Sequence, residues 1–206
     1  MTEDRPSKPR RTPRSGGVDG NERLTAMVAV LLLVLLFLAG LTVPVAIAQT
    51  RLHVFLGVVV IPPVLLKVAS TSWRFIRYYA GNFSYRRKGP PAPLLRLLGP
   101  VIVVLTLVML FSGVGLVIVA PQSMHPQLSQ IHHASFFLWF VVMAVHVLGH
   151  LKETLAYAPR DFMRRTRRKV RGASRRAWAT LASVAGGVAC GWAILPYVSN
   201  VTNFGH

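Results

Sequence analysis

IHHASFFLWFVVMAVHVLGHL, residues 131–151, decides the architecture. The stretch holds no Lys, Arg, Asp or Glu, and ~20 apolar residues are what a helix needs to cross the hydrocarbon core of a bilayer. His132 and His146 stand 14 positions apart within it. At ~1.5 Å and ~100° per residue, that spacing separates the two imidazoles by ~21 Å along the axis and only ~40° around it. One face of one membrane helix therefore carries a nitrogen ligand near each end. Ionisable side chains at such depths are costly and rare, and their default reading is functional.

The rest of the chain fits the same picture. Of its 206 residues 52% are hydrophobic, yet the formal net charge is +18. The two figures agree if the apolar residues form membrane spans and the charges lie in the connections. Five stretches qualify, about 25–48, 52–72, 98–120, 131–151 and 178–198, and Lys67 alone among Lys, Arg, Asp and Glu falls inside one. The expected fold is an all-α, polytopic transmembrane helical bundle of five spans, with the transmembrane domain covering 24–198.

Charge placement sets the expected orientation. Arg5, Lys8, Arg10, Arg11, Arg14 and Arg23 precede the first span. Arg74, Arg77, Arg86, Arg87, Lys88 and Arg96 follow the second, and a run from Lys152 to Arg176 follows the fourth. The alternate connections, 49–51, 121–130 and 200–206, carry one Arg between them. The positive-inside rule then places the N-terminus inside and the C-terminus outside. The basic runs suit topology and attraction to anionic headgroups of membrane lipids. Nucleic-acid binding is not expected, since no folded module presents them.

Residues 1–23 read as a disordered basic cytoplasmic tail and 199–206 as a short outer tail. Ala46-Ile47-Ala48 resembles a small-residue cleavage site, but the apolar run before it exceeds the usual h-region of roughly 7–15 residues, so the first span is expected to be retained. Pro62-Pro63 should bend or locally unwind the second span. Ser112-Gly113-Val114-Gly115 and the small residues Gly186, Gly187, Ala189, Cys190 and Gly191 allow a helix or a flat macrocycle to approach closely; Cys190 reads as a packing residue. No nucleotide-binding glycine motif, catalytic triad or pair of carboxylates is present, and spans without acidic residues argue against a proton-coupled transporter.

The histidines remain. A b-type haem takes axial ligands from opposite sides, usually from two helices. His53 opens the second span and His132 the fourth, at the same expected depth and on different helices. His133 is the substitute for His132, pointing ~100° away. Toward the inner face, His146 offers one ligand and His150 follows one turn later, so the two cannot take opposite sides of one ring. Lys67 stands 14 positions after His53, at the depth of His146. It could ligate iron as a neutral amine, or snorkel to the interface. His125 and His206 read as exposed polar residues. Two other readings stay open: a zinc or copper site at His146 and His150, and histidines that serve only to hydrogen-bond helices together.

These residues resemble the bacterial cytochrome b561-like group, which includes the gamma subunit of formate dehydrogenase. Two histidines 14 apart on the fourth helix (His132 and His146) and one near the outer end of the second (His53) carry the resemblance, over roughly 25–151. It implies haem b at His53 and His132 and a second haem at His146. It further implies a quinone near the inner face and an extracytoplasmic redox subunit, often a molybdenum enzyme, as partners. The family places the remaining inner ligand on the first helix, and 25–48 contains no histidine. The reading is thus an electron-transfer subunit of a bacterial plasma-membrane oxidoreductase rather than a catalytic subunit, with a non-catalytic scaffold or assembly protein as the alternative.

Overall fold

The computed structural model describes residues 17–89, 93–118, 121–161, 163–167 and 169–199, with the backbone alone at 88, 94, 95, 122, 164 and 167. Among the described residues the chain is helical and contains no strand. The helices are α1 (Gly17–Leu41), α2 (Thr50–Val59), α3 (Ile61–Tyr79), α4 (Phe83–Lys88), α5 (Pro93–Ile118), α6 (His125–Tyr157), α7 (Arg164–Arg167) and α8 (Ala173–Ile194). Five of the resulting rods are long and apolar enough to cross a membrane, α2 and α3 together forming the second. This is the build of a multi-pass membrane protein.

The surface supports that assignment. Leu33, Phe37, Val104, Phe111, Phe137, Leu148 and Trp192 are all exposed. Contiguous apolar surface on this scale is foreign to a soluble monomer and suits contact with lipid.

Several boundaries differ from the sequence expectation. The first helix begins at Gly17, so residues 17–23, expected in the tail, form its opening turns. It ends at Leu41 rather than near 48, because Pro44 has no N–H to continue the ladder and the chain tightens into a 3₁₀ turn over Val43–Val45. The second rod runs on to Tyr79, carrying Trp73 and Arg77 with it. The fourth begins at His125 and continues to Tyr157. The fifth begins at Ala173, after Gly172 turns the chain with φ +89°. Residues 1–16 of the expected tail, residues 119–120, and 200–206 with His206 lie outside the described residues.

Packing follows small residues and prolines. The third and fourth rods form an antiparallel hairpin, α5 against α6, joined internally by Trp139 Nε1 donating to Thr106 Oγ1 at 2.8 Å. The expected break in the second rod falls between α2 and α3, at Val60. Pro63 lacks the N–H that would bond the carbonyl four residues back, at Val59. Gly187 of α8 fills the space beside that carbonyl, where a Cβ would collide with it. One turn on, Gly191 lies against Phe55, a Cβ there falling 2.8 Å from the Phe55 ring. Small residues four apart let two helices approach to backbone contact, and α2 and α8 do so here. Cys190, expected as a packing residue, instead faces outward. The spacing explains this: with Gly187 and Gly191 on the contact face, the residue ~100° before Gly191 turns away.

Polar side chains tie the remaining pairs. Asn21 Nδ2 donates to Ser70 O at 2.9 Å, and Thr25 Oγ1 to Ser70 Oγ at 3.1 Å, joining α1 to α3. Three basic segments meet at one end of the bundle. There Asp161, 6% exposed, accepts from Arg23 of α1 at 2.8 Å and from Arg176 of α8 at 2.5 and 2.9 Å. Arg74 pairs with Glu22 at 3.5 Å nearby.

Candidate functional site: facing histidines of the second and fourth spans

His53 lies in the first turn of α2 and His132 two turns into α6. Both are half-buried, and their ring centres are 6.4 Å apart with the planes at 87°. The helices that carry them do not pack closely on each other: α2 leans on α8, and α6 on α5 and α1. The imidazoles therefore meet across a gap between helices. At the other end of the same two rods stand Lys67 on α3 and His146 on α6, each 14 residues after the facing histidine of its own rod.

Hydrogen bonds fix the tautomer of each facing ring. Thr42 Oγ1 gives its only proton to Ala39 O at 2.6 Å, so at 2.8 Å it accepts from His53 Nδ1. His132 Nδ1 lies 3.0 Å from Met109 O, and a carbonyl can only accept. Ser112 Oγ, itself donating to Met109 O at 3.0 Å, lies 3.3 Å from the same nitrogen. Each ring thus carries its proton on Nδ1 and keeps the lone pair on Nε2. That is the tautomer of a metal-binding histidine whose other nitrogen is held by a supporting acceptor.

The cradle for His132 comes from one face of α5. Met109, Ser112 and Gly113 stand at i, i+3 and i+4, neighbours on a helix surface. A Cβ at Gly113 would fall 2.9 Å from His132 Cε1. The small residue that the sequence suggested for a helix or a macrocycle thus makes room for an imidazole.

These observations test whether the pair fits a haem. Two nitrogens at ~2 Å on either side of one metal, each ~1.1 Å from its ring centre, put two axial rings roughly 6 Å apart. The 6.4 Å separation of the ring centres matches that spacing. Rotation of a ring about its metal–nitrogen axis leaves the bond lengths unchanged, so perpendicular planes fit as well as parallel ones. Among the described residues no group of three or more His, Cys, Asp or Glu comes together. A haem needs only two protein ligands, because its macrocycle supplies the other four nitrogens.

The other histidines are placed differently. His133 is exposed and lies 3.4 Å from Ser129 Oγ on its own helix, its ring centre 6.1 Å from that of His132. His125, expected as an exposed loop residue, heads α6 and is half-buried. His146 and His150 meet edge-on along α6 with centres 4.7 Å apart, and His150 lies 3.3 Å from Glu153. His146 Nδ1 is shielded from solvent and has no hydrogen-bond partner among the described residues. Lys67 donates to Thr25 O of α1 at 3.0 Å, so its ammonium is held within the bundle rather than extended to an interface. The structure therefore assembles a two-sided imidazole pair at one end and a one-sided group at the other.

Sequence reasoning missed Thr42 and the carbonyl of Met109, and it read Ser112 only as a small residue. A lone Thr eleven residues before His53 carries no pattern, and a backbone carbonyl carries no sequence signal at all. The class of protein these features define is a five-rod helical membrane bundle with a facing histidine pair. No family model, curated protein or solved structure matches the chain.

Proposed function

We propose that this chain is a membrane-embedded b-type cytochrome, in which His53 and His132 hold one haem and the chain passes electrons between a quinone and an extracytoplasmic redox subunit. The observation that carries the reading is the pairing of two half-buried imidazoles from separate helices, 6.4 Å apart, each with Nδ1 engaged and Nε2 available. A haem iron with two imidazole ligands is six-coordinate, has no open position and supplies one-electron transfer. Thr42 and the Met109 carbonyl orient the two ligands, and Gly113 leaves the His132 ring its place.

The resemblance to cytochrome b561-like subunits supplies the quinone, the outer partner (a molybdenum enzyme in part of that group) and the bacterial plasma membrane. The clustering of basic segments at the end away from His53 supports an orientation with that end, and the N-terminus, inside. His146, His150 and Lys67 then lie toward the inner face. A second haem has one available imidazole there, and α1 offers no histidine to oppose it.

A second reading, a scaffold whose histidines only link helices, draws on the bond from His132 to Met109, which joins α6 to α5. A reduced-minus-oxidised absorption spectrum of the purified protein separates the two. Sharp alpha and Soret bands are expected, lost in His53→Ala and in His132→Ala and kept in His133→Ala. A colourless preparation from haem-replete cells would sink the cytochrome and leave the scaffold. The haem-to-protein ratio, with His146→Ala alongside, distinguishes one site from two.

A further inference from the structure

A cleft of about 870 Å³ opens at the basic end of the bundle, where the first two turns of α1, the end of α3, α4 and the start of α8 with the segment before it come together. Four guanidiniums line it, those of Arg77, Arg171, Arg175 and Arg176, and among the described residues no carboxylate does. Arg176 is committed to Asp161. Among the described residues no carboxylate pairs with Arg77, Arg171 or Arg175. Such a concentration of one sign of charge, between low-dielectric walls, attracts anions.

Two further observations sharpen the chemistry. Arg77 Nε is shielded from water and meets no acceptor among the described residues. A buried donor left without an acceptor is costly, and an oxyanion in the cleft would remove that cost. The Arg77 guanidinium also lies 5.5 Å over the Trp73 ring, and the buried Tyr85 forms another part of the lining. Aromatic residues are favoured at the headgroup level of a bilayer. Guanidinium forks match the geometry of phosphate oxygens and bind them with paired hydrogen bonds.

We propose that this cleft binds the phosphate of an anionic ligand, with Arg77, Arg171 and Arg175 converging on it between Trp73 and Tyr85. A lipid headgroup and a free phosphate share this chemistry. The lipid is the better match, because the cleft lies at the end of the apolar rods and its own lining includes the exposed ring of Trp73, apolar surface beside the phosphate for the start of acyl chains. Basic pockets between membrane helices on the cytoplasmic side hold anionic headgroups in the same way.

The test uses the full-length protein, purified and delipidated in neutral detergent, and reads thermal unfolding. The probes are phosphatidylglycerol, phosphatidylcholine and inorganic phosphate. Phosphatidylglycerol is expected to raise Tm. The double variant Arg77→Gln/Arg175→Gln should weaken its apparent affinity ~10-fold or more, the loss expected for charged hydrogen bonds. Arg51→Gln, at the other end of the bundle, should respond as wild type does. Phosphatidylcholine, whose phosphate is balanced by its own choline, should have little effect. Stabilisation by inorganic phosphate with the same dependence on the variants would also support the site and identify a free anion as its ligand. The proposal is overturned if no anionic probe raises Tm, or if the double variant responds as wild type does. Should the double variant not fold, the exposed Arg175→Gln alone, with native mass spectrometry counting retained phosphatidylglycerol, gives the same two outcomes. Haem content plays no part in the readout, so this result and that for the cytochrome are independent.

Discussion

Thr42 connects the turn after α1 to His53, and its role is set by a single proton. With that proton given to Ala39 O, the hydroxyl accepts from His53 Nδ1 and holds the ring in one tautomer. Thr42→Val keeps the shape and removes the acceptor. Loss of such a supporting partner weakens metal-site affinity by ~10–100-fold. A fall in haem-to-protein ratio at limiting haem is therefore expected in the variant, with the thermal unfolding of the haem-free protein little changed. An unchanged ratio would show that the Thr42 bond serves the helix turn only. Gly113 provides a second test at this scale. Gly113→Ala puts a methyl group 2.9 Å from His132 Cε1, closer than real contacts allow, so the ring must shift. Perturbed absorption bands or lost haem are expected, whereas Gly115→Ala, whose Cβ would lie at an ordinary 3.7 Å from Leu128, should leave the spectrum unchanged.

At the scale of elements, the contact between α2 and α8 rests on a proline that withholds a hydrogen-bond donor and two glycines that admit the freed backbone. Gly187→Ala places a Cβ into the Val59 carbonyl, and backbone cannot rotate away as a side chain can. Overpacking of a tight contact costs typically ~1–3 kcal/mol. A lowered Tm is the expected outcome for Gly187→Ala, and no comparable loss is expected for Gly186→Ala, which meets nothing within 4 Å. Equal effects at the two positions would mean that helix propensity rather than close approach governs the pair.

For the whole molecule, the buried cluster of Arg23, Asp161 and Arg176 holds the first and last rods and the end of the fourth together. Asp161→Ala leaves two guanidiniums facing each other without a carboxylate. Breaking a buried pair by removing one partner costs ~3–5 kcal/mol, so a large drop in thermal stability is expected. Glu153 is the control: its carboxylate is exposed beside His150, and Glu153→Ala should change little. Orientation is testable on the same scale. If the basic end faces the cytoplasm, alkaline phosphatase fused to the C-terminus should be active and green fluorescent protein fused there dark; the reverse pattern would invert the bundle.

The number of rods was legible in the amino-acid order, because the cost of placing charge in hydrocarbon confines Lys and Arg to the connections whatever the packing. The ~21 Å spacing of His132 and His146 was equally legible, since helical rise is a local property. Helix ends carry local signals that the apolar pattern hides: α1 stops before Pro44, α6 starts with Pro126 in its first turn, and α3 runs on until Gly81 turns the chain. Only the tertiary structure decided that His53 meets His132, and that Thr42 and Met109 hold the two rings. It alone brought Asp161, an isolated acid in a basic run, between Arg23 and Arg176. Most of these contacts join residues tens to more than a hundred positions apart. They arise from how rods rotate and slide against one another, which no periodicity within a single rod encodes.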